Sequence, residues 1–428
     1  MTPWPDMSAP RPSGRGWFWF IAAVVVFCAA VAVMVAIRAP SSTDFRDFWE
    51  NAVHFRQTGR IASDRGVHNY LPFFTIFMLP WGFLPLRVAA VAFVLLSLAL
   101  FALAAYLTEL LLHGSAGRTP RPAFLAAIGL ALPYVYACAV VGNLGLLLAF
   151  LVVATWFLVE RGREWQAGVT LGLATVVKLL PGLLLLFFLL QRRWRVAAGA
   201  VATIVVLGLG LPLASLSPSQ TWTEHRDFYR RAVQQHSALV TLTADKPIKA
   251  HYGNVALPMV IRRLLSPVNA ASEGSGGPLY VNLAQVPPGG RVTVYAGVLL
   301  ALGLVSVVVT WRGPRRWHEV SVNEVFTLRA QFGVWCCLML LLSPLVWTHY
   351  LPLVYWPLAV ATDSVLSNPR PVPLRASTVA VPVGAVGLCV WAAAIPLLAW
   401  PAARAAGAPL WAVTALWVAL VSLAARRR

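Results

Sequence analysis

The sequence predicts an all-α polytopic membrane protein, a bundle of about 12 transmembrane or half-spanning helices with extracytoplasmic amphipathic loops. Of its 428 residues, 59% are hydrophobic and 11% charged, against roughly 45–50% and ~25% in a soluble domain. Apolar runs of about 20 residues, the length a bilayer requires, recur along the whole chain. The formal charge of +19 is almost all arginine, since Lys178, Lys246 and Lys249 are the only lysines, and it sits in short clusters between apolar runs. Positive-inside loops look like that. This balance excludes a soluble α/β enzyme, an acidic tail and a disordered chain. It also argues against a nucleic-acid partner, because clusters such as Arg192, Arg193 and Arg195 lie against hydrophobic spans and form no basic face with interleaved aromatics. Cys28, Cys138, Cys336, Cys337 and Cys389 all fall in apolar segments without a CxxC pair, so they read as buried small hydrophobes and not as a zinc site.

Each element follows from the same two signals. Residues 1–15 form a cytoplasmic tail, and Gly16–Ile37, preceded by Arg11 and Arg15, is an uncleaved anchor too long for a signal-peptide core. It opens a single membrane domain over 16–425. Residues 38–70 form a first outer loop, Leu71–Pro85 is a short proline-bounded apolar stretch, and Leu86–Leu112 returns inward to Arg118 and Arg121. Ala123–Val140 leaves and Leu144–Leu158 comes back to Arg161 and Arg163. The next run, 167–190, has inside clusters at both ends, so one crossing would put Arg192 to Arg195 on the wrong side. Lys178 and Pro181 interrupt it, which predicts two half-length helices lining a cavity. Val196–Leu216 then exits, and 217–290 is a second outer loop whose length removes its charges from the topology vote. Val292–Trp311, Phe332–Trp347, Leu351–Val365, Thr378–Trp400 and Leu410–Ala424 complete the bundle, leaving 426–428 as a cytoplasmic tail.

Acidic residues are scarce, so their positions carry weight. Asp44, Asp47 and Glu50 crowd into TDFRDFWE just beyond the first span, at a spacing that puts them along one side of a helix. A carboxylate there suits proton abstraction from a hydroxyl; the competing reading is an interfacial helix whose acids face water. Lys178 is costly inside an apolar run and marks a wet cavity or the bundle interior. Tyr70 in NYLPFF stands where tyrosine anchors an interface. In HYGNVALPMVIRRLL, the residues His251, Asn254, Arg262 and Arg263 sit on an amphipathic segment whose arginines suit either a phosphate or lipid head groups. SPLVWTHY brings His349 to the end of a later span, where it could pair with a phosphate or relay a proton. Walker, GxSxG, HExxH and GxGxxG patterns are absent from the sequence, which removes support for nucleotide hydrolysis and hydride transfer.

Taken in order, TDFRDFW with HFRQTG, NYLPFF, VGNLGLLLAF, AGVTLGLATVVKLLPGLLLLF with RRWR, and GNVALPMVIRRLL followed by LLSPLVWTHY resemble glycosyltransferase family 87 of the GT-C superfamily. The family often has Gly-Gln at Gly142-Asn143, Asn-Gln-Ser at Asn254-Val255-Ala256, and paired histidines at Thr348-His349. The resemblance implies a GT-C bundle and a hexosyltransferase of the EC 2.4.1 type. Such an enzyme moves a hexose, mannose first, from a polyprenyl-phosphate-sugar donor to a lipid or glycolipid acceptor on the extracytoplasmic face of a bacterial plasma membrane. It further implies Asp44 as general base with Asp47 as second choice, and Lys178, Arg262 and His349 facing the donor phosphate or organising the pocket, with Asn254 and Tyr70 beside them. A single displacement needs one base and a cation for the departing phosphate, so inversion is expected. No cofactor is implied; one tight acidic segment is a thin ligand set for a divalent metal, whose involvement stays open. Two other readings remain at this stage. A transporter or lipid flippase would also use interrupted spans and an intramembrane lysine, and an accessory subunit of an envelope-assembly complex would lack turnover.

Overall fold

The structure is a computed structural model, described over residues 15–41, 44–62, 70–114, 119–245, 250–271, 277–311, 322–367, 383–384, 386–387, 389 and 400–425. Among these residues six helices are long and apolar enough to cross a bilayer: Arg15–Arg38, Leu86–His113, Pro122–Val141, Trp194–Ser215, Pro288–Trp311 and Glu324–Leu341. Shorter apolar helices cover Pro72–Phe83, Gly145–Glu160, Leu180–Leu190 and Ala408–Ala424. The protein is thus an all-helical integral membrane protein. The expected span Thr378–Trp400 lies almost wholly outside the described residues.

Short connections give the bundle two distinct ends. At the proximal end α1 (Arg15–Arg38) begins beside Thr119 and Pro120. Between them lie α2 (Asp44–Thr58) and α3 (Pro72–Met78), both at the opposite, distal end. Returning from there, α4 (Leu86–His113) reaches the proximal end, α5 (Pro122–Val141) leaves it, and α6 (Gly145–Glu160) comes back. The core is built on α6, whose Leu146, Leu148, Leu151, Val152 and Trp156 are buried, with the Trp156 ring stacked on Phe332 at 4.6 Å.

The apolar run that follows is two helices. From the proximal end rises α7 (Glu164–Val177), which stops at Lys178 in extended backbone, and α8 (Leu183–Leu190) goes back after a 3-10 turn at Leu180–Gly182. Pro181 disfavours helical geometry at the residue before it. At 14 and 8 residues, the two pieces are about 21 and 12 Å long, so neither crosses a ~30 Å hydrocarbon layer. Next come α9 (Trp194–Val205), a π-helical turn at Val206–Gly210 and α10 (Leu211–Ser215). The long connection that follows carries α11 (Pro218–Phe228), a π-helical segment Tyr229–Gln235, α12 (Ala238–Thr243) and α13 (Leu257–Leu264).

The last helices are α14 (Pro288–Trp311), α15 (Val322–Leu341), α16 (Tyr355–Leu366) and, after the short α17 (Pro401–Ala405), α18 (Ala408–Ala424), of which α14 and α15 are long enough to cross. Here the sequence reading of Phe332–Trp347 needs correction: the helix starts ahead of Phe332 and ends at Leu341. Polar residues that discouraged a helix before Phe332 are satisfied across the bundle. Arg329 makes a two-pronged pair with Glu160 at 2.8 and 2.7 Å, and Gln331 accepts from Gln191 at 2.9 Å while donating to the Val309 carbonyl at 3.0 Å.

The same end holds further pairs. Arg121 and His113 both contact Glu109, His113 lies 2.9 Å from Asp363, and Arg193 pairs with Glu164. Trp156 adds a donor to Glu160 at 2.6 Å.

Candidate active site

At the distal end a cavity of about 910 Å³ opens between α2, the break after α7, the π-helical segment and the connection from α15 to α16. Asp44 and Asp47 line it from the first turn of α2. That helix is amphipathic: Phe45, Phe48, Ala52 and Phe55 recur at helical spacing and are buried. Two side-chain bonds clamp it, Trp49 donating to the Leu84 carbonyl at 2.9 Å and Asn51 to the Thr75 hydroxyl at 2.6 Å. The acids therefore face the cavity because the opposite edge of α2 is tied into the bundle.

Asp44 accepts a hydrogen bond from Asn143 Nδ2 at 2.6 Å, and its carboxylate retains 39% side-chain exposure. His349 Nε2 lies 3.6 Å away, too far for a hydrogen bond. His349 belongs to the connection between α15 and α16, outside the spans. Burial draws its pKa down to about 4, with Asp44 pulling upward and Lys178 downward. The imidazole is thus neutral near pH 7 and leaves the Asp44 charge uncompensated.

Lys178 enters from the helix break with its ammonium 3.4 Å from the centre of the Tyr350 ring and 5.4 Å from that of Tyr70. Two aromatic faces thereby hold a cation at the cavity wall, an arrangement that offsets part of its desolvation. Tyr70 is itself fixed by stacking on Phe74 at 4.3 Å. Burial raises its pKa well above the usual phenol value, with Tyr350 and Asp44 adding to the effect and a hydrogen bond to Asn143 opposing it. Trp347 and His349 lie with rings parallel within 7° and 6.2 Å apart, both on the wall. Much of the remaining lining is apolar, including Leu180, Leu183, Phe228 and Met339.

Of the two roles expected for Arg262 and Asn254, facing the donor phosphate or organising the pocket, the structure leaves only the second, since neither lines this cavity. Arg262 is buried and donates to the carbonyls of Leu242 and Ala244 at 3.3 and 3.0 Å, spending its guanidinium on tying α13 to the end of α12. Arg263 does the same for the stretch before α13, donating to His251 and Asn254 carbonyls at 3.0 and 2.8 Å. Asn254 accepts from Ala256 N at 3.2 Å and pairs as an isolated bridge with Trp347. Asn254 therefore braces the segment that carries His349. Among the described residues no group of three or more His, Cys, Asp or Glu is arranged to hold a metal ion.

The model of Glycosyltransferase family 87 matches residues 68–344. This chain belongs to glycosyltransferase family 87. Curated relatives agree with that membership. An alpha-(1->3)-arabinofuranosyltransferase of Mycobacterium tuberculosis is 29% identical over 193 residues, 43% of this chain and 44% of the relative. A polyprenol-phosphate-mannose-dependent alpha-(1-2)-phosphatidylinositol mannoside mannosyltransferase of the same organism is 31% identical over 167 residues, 36% of this chain and 39% of the relative. The match thus spans less than half the length of these relatives. A crystal structure of ArnT from Cupriavidus metallidurans bound to undecaprenyl phosphate aligns at a TM-score of 0.47 with 14% identity, over 94% of this chain and 77% of that one, a likeness too low to carry weight.

The family match takes in Tyr70, Asn143 and Lys178, whereas Asp44, Asp47 and His349 lie outside its residues. The fold brings both groups to one place. Sequence reading passed over Asn143 as a site residue because its partner is 99 residues away; its one signal was a buried-looking amide between two glycines, Gly142 and Gly145, in an apolar stretch.

Proposed function

We propose that this family 87 member transfers a hexose, mannose first, from a polyprenyl-phosphate donor to a hydroxyl of a lipid or glycolipid acceptor, with inversion at the anomeric carbon. The observation that carries the reading is that a carboxylate, Asp44, and a cation, Lys178, line one largely apolar cavity in a membrane bundle. A lipid-linked sugar phosphate asks for that combination: an oily wall for the isoprenoid, a positive charge for the phosphate, and a base for the acceptor.

Asp44 takes the proton as the acceptor oxygen forms its bond to the anomeric carbon, and the carbon–oxygen bond to the phosphate breaks from the opposite face. Polyprenyl phosphate departs with the bonding electrons, and the added negative charge is met by the Lys178 ammonium. No covalent intermediate is needed, so one displacement suffices. Asp47, one turn along α2 in the same cavity, is the second candidate for the base. Sidedness follows from charge: Arg121, Arg161, Arg163, Arg192, Arg193 and Arg195 cluster at the proximal connections, which the positive-inside rule assigns to the cytoplasm, so the cavity faces the outside of a bacterial plasma membrane.

The test is the purified full chain with polyprenyl-phosphate-mannose, and in parallel polyprenyl-phosphate-arabinofuranose, presented with a phosphatidylinositol mannoside acceptor. Release of polyprenyl phosphate with a product of inverted anomeric configuration is expected, fastest with mannose. Retention of configuration would refute the single displacement, and movement of the lipid across liposomes without chemical change would refute transfer altogether.

A further inference from the structure

Asn143 sits in the connection between α5 and α6 and is 2% exposed. Its side-chain Oδ1 accepts from Gly145 N at 3.2 Å, and its backbone N donates to the Cys138 carbonyl at 3.0 Å. With Oδ1 committed to the loop, the amide is oriented so that Nδ2 points at Asp44 Oδ2, 2.6 Å away. The loop has little room to move. Gly142 has φ +66°, and a Cβ there would come within 2.4 Å of the Cβ of Phe45, the neighbour of Asp44 on α2. A Cβ on Gly145 would likewise meet the His349 carbonyl at 2.5 Å. One tight turn therefore sets the register between the helix that carries the carboxylate and the connection that carries the imidazole.

We propose that Asn143 is the positioning residue of the transfer reaction: its amide fixes the rotamer of the Asp44 carboxylate toward the acceptor while leaving the carboxylate free to gain a proton. This rests on Asp44 acting as the base. The choice of an amide has a physical reason. An arginine in the same place would aim the carboxylate equally well, but its charge would hold it ionised and weaken it as a base. An aliphatic residue would leave the carboxylate free to rotate out of line, and misplacement by about an ångström costs on the order of a hundredfold in rate. A neutral donor locked by its own backbone loop gives direction without counter-charge.

Asn143→Ala and the isosteric Asn143→Asp, prepared as full chains in detergent or proteoliposomes, separate positioning from bulk. For Asn143→Ala we expect kcat to fall by about 10- to 100-fold with both substrate KM values near wild type, the split that follows when only transition-state geometry is lost. Asn143→Asp keeps the shape but replaces the donor by a second carboxylate facing Asp44, so its kcat falls more, again with KM near wild type. A purely structural role predicts instead a lower thermal midpoint and less folded protein in both variants, with kcat per folded molecule unchanged. Wild-type kcat per folded molecule in both variants, or a loss carried by KM in place of kcat, overturns the proposal. Should the alanine variant fail to fold, the aspartate variant against wild type carries the test. Asp44→Asn run alongside tells the two failures apart: if it is inactive while both Asn143 variants behave as wild type, the positioning role alone falls, and if it is fully active the base assignment falls and the positioning role with it.

Discussion

The proximal acids and Asp44 live in opposite surroundings, although Glu50, further along α2 from Asp44, pairs with Arg46 at 2.8 Å. At the proximal end Glu109, Glu160, Glu164 and Asp363 each have a cationic partner, from Arg121 and His113, Arg329, Arg193 and His113 respectively. At the distal end Asp44 meets a neutral amide at 2.6 Å and, at 3.6 Å, an imidazole that burial keeps uncharged near pH 7. A buried paired acid is committed, because removing either charge leaves the other stranded. An acid held by an amide keeps its capacity to take a proton. The first arrangement holds helices together and the second is the one proposed to do chemistry, although both use the same functional group.

Breaking the proximal side gives the largest expected effect. Glu160→Gln strands Arg329, whose side chain is 15% exposed, and should cost about 3–5 kcal/mol of stability, read as a lower thermal midpoint in detergent. Turnover per folded molecule should stay near wild type; a parallel loss of turnover would erase the division of labour between the ends. Lys178→Met comes next. Losing the cation that meets the departing phosphate should lower kcat by about 10²–10³, while the thermal midpoint holds or rises, because a costly buried charge is gone. A stability loss like that of the Arg329 partner would make Lys178 another structural ion.

Asp47→Asn sharpens the comparison within α2. It should cost under about tenfold in kcat, less than the loss of a general base, and a larger effect than that of Asp44→Asn would transfer the base to Asp47. The last effect is in pH dependence. Protons bind His349 in the unfolded chain near 6.5 but in the folded chain only near 4. Its neutral burial therefore contributes stability that is fully present above 6.5 and is lost as pH falls through about 4. His349→Gln should flatten the fall of the thermal midpoint across that window, and parallel curves for variant and wild type would show that the imidazole titrates normally.

Much of this was legible in the sequence, for identifiable reasons. The spans follow from length and hydropathy, and the break at Lys178 from the cost of an ammonium beside a proline in an apolar run. The acids of α2 stood out because carboxylates are scarce in this chain. What stayed hidden depends on partners far along the chain. Arg262 reads as a phosphate ligand until the carbonyls of Leu242 and Ala244 are seen to absorb its donors. The start of α15 was lost because Arg329 and Gln331 look too polar for a span, and only Glu160 and Gln191 across the bundle make them affordable. Asn143 is the same problem in reverse, a motif residue whose role becomes visible only from the helix folded against it.

The measurement closest to the central claim is transfer by Asp44→Asn, assayed as polyprenyl phosphate released per folded molecule and set beside its thermal midpoint. An acid used for chemistry and not for cohesion predicts turnover down by about 10²–10⁴ with the midpoint unchanged. Wild-type turnover, or a midpoint that drops as far as that of Glu160→Gln, would contradict it.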